Sequence, residues 1–392
     1  MRSKKAPDPD LRRTNWLVVL LVIFGVAVAL VPVVLHLPAP ATSRGAGIIF
    51  VYLPAIFAAV VCYSFDRTFS KREKAEALFL CVAFAFLSTY LHVWLVDLGH
   101  YFQGSDNLKW QLYVQNSVID LRPETLPHSY RFLPNSLVRL FEQATGDFSV
   151  ARDGYRNLFG VLLFYSFYRF ARLFLRHGGS LFCLALWMVV FPISFRYYAG
   201  QLTDPLSHLS FVLAFIFIET EQFVYLLLSI MIGCLAKESI VAMAGYYAFF
   251  RGREKSHWWK TILLVFASVA VCAITRVWVL RGVPNYEQIS AVGPEHVAVN
   301  WNNYSLWLPG LLYTVSIFTP FVFAGWQKTP WTLRSLAVYL FPVLFLSSLI
   351  FSWLREARNF MPLVAVLTIL TVYYLVPGER RQPAGPSRGQ SL

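Results

Sequence analysis

Apolar runs, most of them close to the twenty residues a helix needs to cross a hydrocarbon layer, alternate along this chain with short polar connections. The runs fall at about 16–35, 46–63, 75–96, 155–175, 181–198, 206–219, 260–280, 306–325, 335–354 and 360–376, with two shorter apolar segments between Phe223 and Phe250. This pattern predicts an all-α integral membrane protein of about twelve transmembrane helices. Basic residues recur on every second connection: Arg67, Lys71, Arg72 and Lys74, then Arg169, Arg172 and Arg176, then RGREK at 251–255, QKTPWTLR at 327–334, and Arg380 with Arg381. Positive charge collects on the cytoplasmic side, so these connections and both termini are expected there. The segment from 223 to 250 tests that scheme. One long tilted helix would bury Lys237 and Glu238 in mid-helix and invert every later connection, whereas a break at Lys237 preserves the alternation. A break with charge at membrane depth is tolerated where it lines a cavity walled by protein.

One stretch interrupts the apolar pattern. From Asp97 to Tyr155 the chain is long, charged and partly amphipathic, and the alternation delivers it to the outer face. Leu108, Leu112, Gln115 and Ile119 recur at helical spacing. A second helix carries Leu137, Leu140, Phe141 and Ala144, with Asn135 or Ser136 to cap it and Gly146 to close it. Both are expected to lie along the membrane surface. Between them the prolines of LPHSYRFLPN hold His128, Tyr130 and Arg131 at a corner. Lys109, Arg122, Arg131, Arg139 and Arg152, balanced by Asp120, Glu142, Asp147 and Asp153 among others, are expected to be mostly solvated.

Composition narrows the class further. With 57% hydrophobic and 14% charged residues, the chain has too little polar surface for a soluble fold. The net charge of +13 sits in clusters flanking apolar runs, so it marks membrane flanks and excludes nucleic acid as the expected partner. Cys62, Cys81, Cys183, Cys234 and Cys272 lie inside apolar runs without CxxC spacing and are expected in the core. His128, His208 and His296 lack metal-ligand spacing. Ala39-Pro40-Ala41 is similar to a signal-peptidase site, and the topology of the rest is the same whether or not it is cut.

Several polar groups that are costly to keep near a membrane collect on the expected outer side. They include the corner Tyr130, Arg131, Leu133 and Pro134, the pair Asp204-Pro205, the triplet Ala236-Lys237-Glu238, and the turn Glu356 to Asn359. With an acidic residue after an outgoing span, this set resembles bacterial members of the GT-C superfamily, polytopic glycosyltransferases that use polyprenyl-phosphate sugars. The resemblance covers about 75–376. It leaves 1–15 as a basic cytoplasmic segment, 16–74 as an additional helix pair preceding the acidic loop, and 377–392 as a basic tail. The family's tight acidic doublet is absent, so Asp97 and Asp106 both stay open as the catalytic carboxylate.

The resemblance implies inverting transfer of a sugar to a glycan, lipid or protein acceptor at the outer face, in contact with membrane lipids. A carboxylate general base takes the proton of the acceptor hydroxyl, and cations hold the leaving phosphate. Asp106 is favoured as base over Asp97, because a carboxylate beside the lipid phosphate would repel it; Asp106 also suits the cap of a helix starting at Asn107. Arg131, Lys237, Arg355 and Arg358 are the expected phosphate ligands, and His128, Tyr130, Asp204, Glu238 and Glu356 the expected substrate contacts. No cofactor is implied, and a divalent metal is left open. The bland alternatives are that Lys237 and Glu238 pair with each other, and that Arg355, Glu356 and Arg358 are interfacial anchors. Two other function classes share the architecture. A transporter or flippase would carry charge at mid-span, as at His208 or Arg276, and a polymerase or ligase of lipid-linked glycans would show a larger outer loop than 281–303.

Overall fold

The computed structural model describes residues 49–97, 107–122, 130–195, 202–250, 257–279 and 294–381. The apolar run at 16–35, Asp106, His128, the RGREK segment and most of the basic tail lie outside the described residues. Everything described is helix and connection, apart from an isolated bridge between Leu175 and Arg380.

The first helices are α1 (Ile49–Phe65), α2 (Lys71–His92, prolonged by a π turn Val93–Asp97), α3 (Asn107–Ile119), α4 (Phe132–Thr145) and α5 (Phe148–Arg172). They are followed by α6 (His177–Val190, prolonged by a 3-10 turn Phe191–Phe195), α7 (Thr203–Glu219), α8 (Phe223–Ala236), α9 (Val241–Phe250) and α10 (Trp258–Val279). The last are α11 (Pro294–Asn302), α12 (Tyr304–Ser316), α13 (Thr319–Gly325), α14 (Trp331–Phe351) and α15 (Met361–Leu375). Five continuous helical stretches are long and apolar enough to cross a membrane: Lys71–Val96, His177–Phe195, Trp258–Trp278, Trp331–Phe351 and Ala357–Leu375. The pair Tyr304–Ser316 and Thr319–Lys328, bent by 41°, makes a sixth if taken as one span. The faces of these helices that point away from the bundle are apolar, with Phe79, Phe266, Val277 and Phe323 each about 70% exposed. Such surface in contact with water would be costly, and it suits lipid. The chain is thus a multi-pass helical protein of membrane type.

Helix ends sort into two levels. At one, Arg172 donates to Glu73 (2.8 Å), His177 Nε2 meets Glu76 (2.8 Å), and the Arg176 amide donates to the Glu379 carbonyl (2.7 Å). Phe223 there packs on Tyr247 and Trp259, and Phe250 packs on Trp331. At the other level Asn107 donates to the Val96 carbonyl, Tyr155 donates to the Leu202 carbonyl, and Phe132 packs on Trp278. The contact of Phe223 with Tyr247 shows that α9 folds back along α8. The chain therefore reverses at Lys237 and does not run through it as one helix. Gly233, in the last turn of α8, permits this: a Cβ there would stand 2.9 Å from both Ser210 and Ile240, so α8 approaches α7 and the reversal only as glycine.

Helices α3 and α4 differ from expectation in two ways. Helix α4 starts at Phe132, ahead of the expected cap, because Pro134 falls in the first turn, where no amide donor is needed. Asn135 donates back to the Arg131 carbonyl (2.8 Å), while Gly146, at φ 70°, closes the helix as expected. The larger difference is burial. Arg131, Arg139 and Arg152 are not solvated: each is buried, Arg152 completely. Helices α3, α4 and the start of α5 meet through an apolar cluster that includes Leu112, Val138, Phe141, Phe148 and Tyr155, and through polar groups beside it. Gln115 donates to Glu142 (2.9 Å), Arg139 donates to Asn116 and forms an ion pair with Glu142 (3.0 Å), and Arg152 donates to Gln111 (3.3 Å) and Asp153 (2.8 Å). A hydrophobic pattern identifies which faces pack, but not that two polar faces are complementary. Arg122, paired with Asp120, is exposed as expected.

Candidate functional site

The second level of helix ends carries a cluster of buried charge assembled from four separate segments. The corner before α4 contributes Arg131, the first turn of α7 contributes Asp204, the α8–α9 reversal contributes Lys237 and Glu238, and the turn before α15 contributes Glu356, Arg358 and Asn359. Each enters at a place where the backbone leaves regular helix. Helix α8 ends at Ala236, Lys237 is extended (φ −163°, ψ 127°), and Glu238 opens a 3-10 turn to Ile240. Residues Ala357–Phe360 form another 3-10 turn that leads into α15, with Pro362 in its first turn.

Two guanidinium groups anchor the cluster. Arg131 holds Glu238 through NH2 (3.0 Å) and Nε (3.4 Å). Burial works against the Arg131 charge, but Glu238 more than offsets it, so the Arg131 pKa is raised above its ordinary value. Arg358 donates from NH1 to both oxygens of Asp204 (3.0 and 3.1 Å), and from NH2 (2.8 Å) and Nε (3.2 Å) to Glu356. Between these anchors Lys237 Nζ donates to Asn359 Oδ1 (2.7 Å). Lys237 also lies within electrostatic reach of Arg131, Arg358, Asp204 and Glu356. His208, one turn along α7 from Asp204, donates from Nε2 to the Arg358 carbonyl (3.1 Å) and so holds the turn that carries Arg358 and Asn359. This bond assigns the proton to Nε2 and leaves Nδ1 as a buried acceptor. His208 borders a cavity of about 20 Å³ between α2, α5, the 3-10 turn after α6 and α7, with Asp204, Arg156, Ser88 and Ser194, which is room for about one water.

Of the residues expected at a site, Arg131, Lys237, Glu238, Asp204, Glu356 and Arg358 come together here. Tyr130 stands at the margin, with Arg276 over its ring at 5.3 Å. Arg276 is therefore at a helix end and not at mid-span. Arg355 turns away: its guanidinium lies over the Trp353 ring (4.8 Å), whose neighbour is His296 (4.8 Å). Asp97 ends the π turn that prolongs α2, while Asp106 and His128 fall outside the described residues. Lys237 and Glu238 do not pair with each other, because the extended Lys237 sends consecutive side chains to different partners. Glu356 and Arg358 are 3% exposed each, too buried for interfacial anchors. Arg156 carried no expected role, while Asn359, which holds Lys237, was expected only as part of the Glu356 turn and His208 only as a mid-span group of the transporter alternative. Asn359 was visible in the sequence as a polar residue beside an arginine turn, and Arg156 and Asn157 as a polar pair inside an otherwise apolar run. Among the described residues no group of three or more His, Cys, Asp and Glu stands close enough to hold a metal ion.

Chemically the cluster brings four cations, Arg131, Arg156, Lys237 and Arg358, near three carboxylates, Asp204, Glu238 and Glu356. Removing one member of such a set leaves its partner charged and buried, which costs about 3–5 kcal/mol. An arrangement this expensive at the end of a membrane-type bundle suits recognition of an anion close to the bilayer surface. Comparison with family models, with curated proteins and with solved structures found no match for this chain.

Proposed function

We propose that the chain is a membrane glycosyltransferase that takes its sugar from a polyprenyl-phosphate carrier. The observation that carries this reading is the convergence of Arg131, Lys237 and Arg358 at one end of the bundle, at the breaks between apolar helices. A lipid-borne phosphate reaches such a place by moving in the plane of the membrane, with no nucleotide-binding domain required. In the reaction the acceptor oxygen attacks the anomeric carbon, the bond from that carbon to the phosphate oxygen breaks, and configuration inverts. The hydroxyl proton passes to a carboxylate, and the electron pair leaves with the lipid phosphate, whose charge the cations hold. The base is Asp106 or Asp97, on the segment between α2 and α3. The full reading has about twelve spans, both termini in the cytoplasm and the charge cluster on the extracytoplasmic face. The corner at Arg131 leads into α4, which with α3 docks on α5.

The test is to incubate the purified protein with a panel of labelled polyprenyl-phosphate sugars and an envelope extract as acceptor source, and to follow release of lipid phosphate. At least one sugar should be turned over, and the Arg131→Gln and Lys237→Gln variants should lose more than about tenfold in donor binding. Turnover of none of the panel, with donor binding unchanged in both variants, would remove the proposal.

A further inference from the structure

The two anchoring arginines are engaged in different ways. Arg358 is enclosed: its carboxylate partners Asp204 and Glu356 have side chains 14% and 3% exposed, and His208 fixes the turn beneath it. Arg131 is itself buried, its side chain 7% exposed, but its partner Glu238 is 33% exposed. The Arg131–Glu238 pair is therefore open on the carboxylate side, and the carboxylate stands on a short 3-10 turn instead of in a helix. Beside it Lys237 is held by a neutral carboxamide, and an ammonium with three donors can keep Asn359 while taking a second acceptor. Arg131, Lys237 and Arg358 lie within mutual electrostatic reach, so each repels the others, and an anion among them relieves that repulsion.

We infer that Glu238 is an internal stand-in for a phosphoryl group: the ligand displaces the Glu238 carboxylate from Arg131 toward the open side and binds across Arg131 and Lys237, while Arg358 pins the turn and acts on the ligand through its charge, without a hydrogen bond to it. The inference deepens the glycosyltransferase reading and rests on it. A phosphoryl group fits the exchange by chemistry. Its terminal oxygens can take the planar guanidinium fork of Arg131 and the point charge of Lys237 together, whereas one carboxylate engages the fork alone. Glu238 thereby lowers affinity in the resting protein and holds Arg131 in the orientation the ligand needs.

The consequence is an inversion that a supporting ion pair would not give. Glu238→Gln, which keeps the size and an acceptor for Arg131 but loses the charge, should bind decaprenyl phosphate in detergent about tenfold more tightly than wild type. Arg131→Gln should bind it at least tenfold more weakly, and in the Arg131→Gln background the further change Glu238→Gln should gain little, because the two residues act through one contact. Binding is measured by titration calorimetry on each purified variant, with its unfolding transition as a check of folding. Glu238→Asp, one methylene shorter, replaces the amide variant if the latter does not fold, with a smaller gain expected. Inorganic phosphate forms the second arm. A gain shared by both ligands assigns the site to the phosphoryl group itself, and a gain confined to decaprenyl phosphate assigns it to the lipid-borne form; both support displacement. Wild-type binding that Glu238→Gln leaves unchanged or weakens overturns the stand-in role alone, as does a gain that persists in full without Arg131. Decaprenyl phosphate bound by none of the chains overturns the glycosyltransferase reading and this inference with it.

Discussion

Asp106 and Asp97 share the connection between α2 and α3 but face different demands. On the proposed reading a general base must avoid repulsion by the phosphate and reach an acceptor coming from water, which favours Asp106 over Asp97 as the base. Asp106→Asn keeps the size and the capping ability of the side chain and removes its basicity. Turnover should fall by about a hundredfold or more while donor binding stays, and Asp97→Asn should cost less. Single-turnover rates and donor titration on both variants check this; the reverse order reassigns the base to Asp97, and two active variants remove the base from this segment. At this scale the sequence was legible by residue type. Arg131, Asp204, Lys237, Glu238, Glu356 and Arg358 all announce themselves as charge where charge is costly. Their pairing was not legible, since Arg131 and Glu238 are 107 positions apart and Lys237 meets Asn359 across 122.

Helices α1 and α5 form a joint whose tightness depends on one glycine. Pro54 lacks an amide hydrogen, so the carbonyl of Phe50 one turn earlier has no donor from that position. Gly154 of α5 lies against this carbonyl, and a Cβ built on it would stand 2.6 Å from the oxygen. One turn further along α5, Asn157 donates to the Val51 carbonyl (2.7 Å). Gly154→Ala must push the backbones apart, at a cost of about 1–3 kcal/mol. Gly160→Ala is the milder comparison, since its Cβ would meet the Ala85 side chain at 3.1 Å. Unfolding transitions in detergent should rank wild type above Gly160→Ala and Gly160→Ala above Gly154→Ala; a Gly154→Ala transition equal to wild type would mean that the helices tolerate the separation. Periodicity found most of the helices, including short amphipathic α3 and α4, but missed α11, which lies in a stretch read as loop, and the bend between α12 and α13. It misplaced the start of α4 by three residues or more and read the buried Arg139 and Arg152 as solvated, because complementarity between polar faces has no one-dimensional signature.

For the whole molecule, the two levels of helix ends carry a topological prediction. In a background without the native cysteines, Asp120→Cys and Asn303→Cys should react with an impermeant thiol reagent from outside intact cells. Arg67→Cys, Thr220→Cys and Lys328→Cys should react only after permeabilisation; all five positions are exposed on the described surface. Labelling of Thr220 and Asn303 from the same side would break the proposed orientation of α7 to α12. What the sequence determined by itself is the class: 57% hydrophobic residues in repeated runs leave no soluble alternative, and the recurrence of basic connections sets the order of turns. It also marked Lys237 as a place where a helix would pay too much to continue. Only the tertiary structure decided that α9 returns along α8, that α3 and α4 dock on α5 with buried polar groups between them, and that the charged residues of four distant segments meet in one cluster. The physical reason is range. Hydrophobic spacing and charge cost act over a few residues and can be read along the chain, whereas the partner of a buried charge is chosen by packing that brings together residues more than a hundred positions apart.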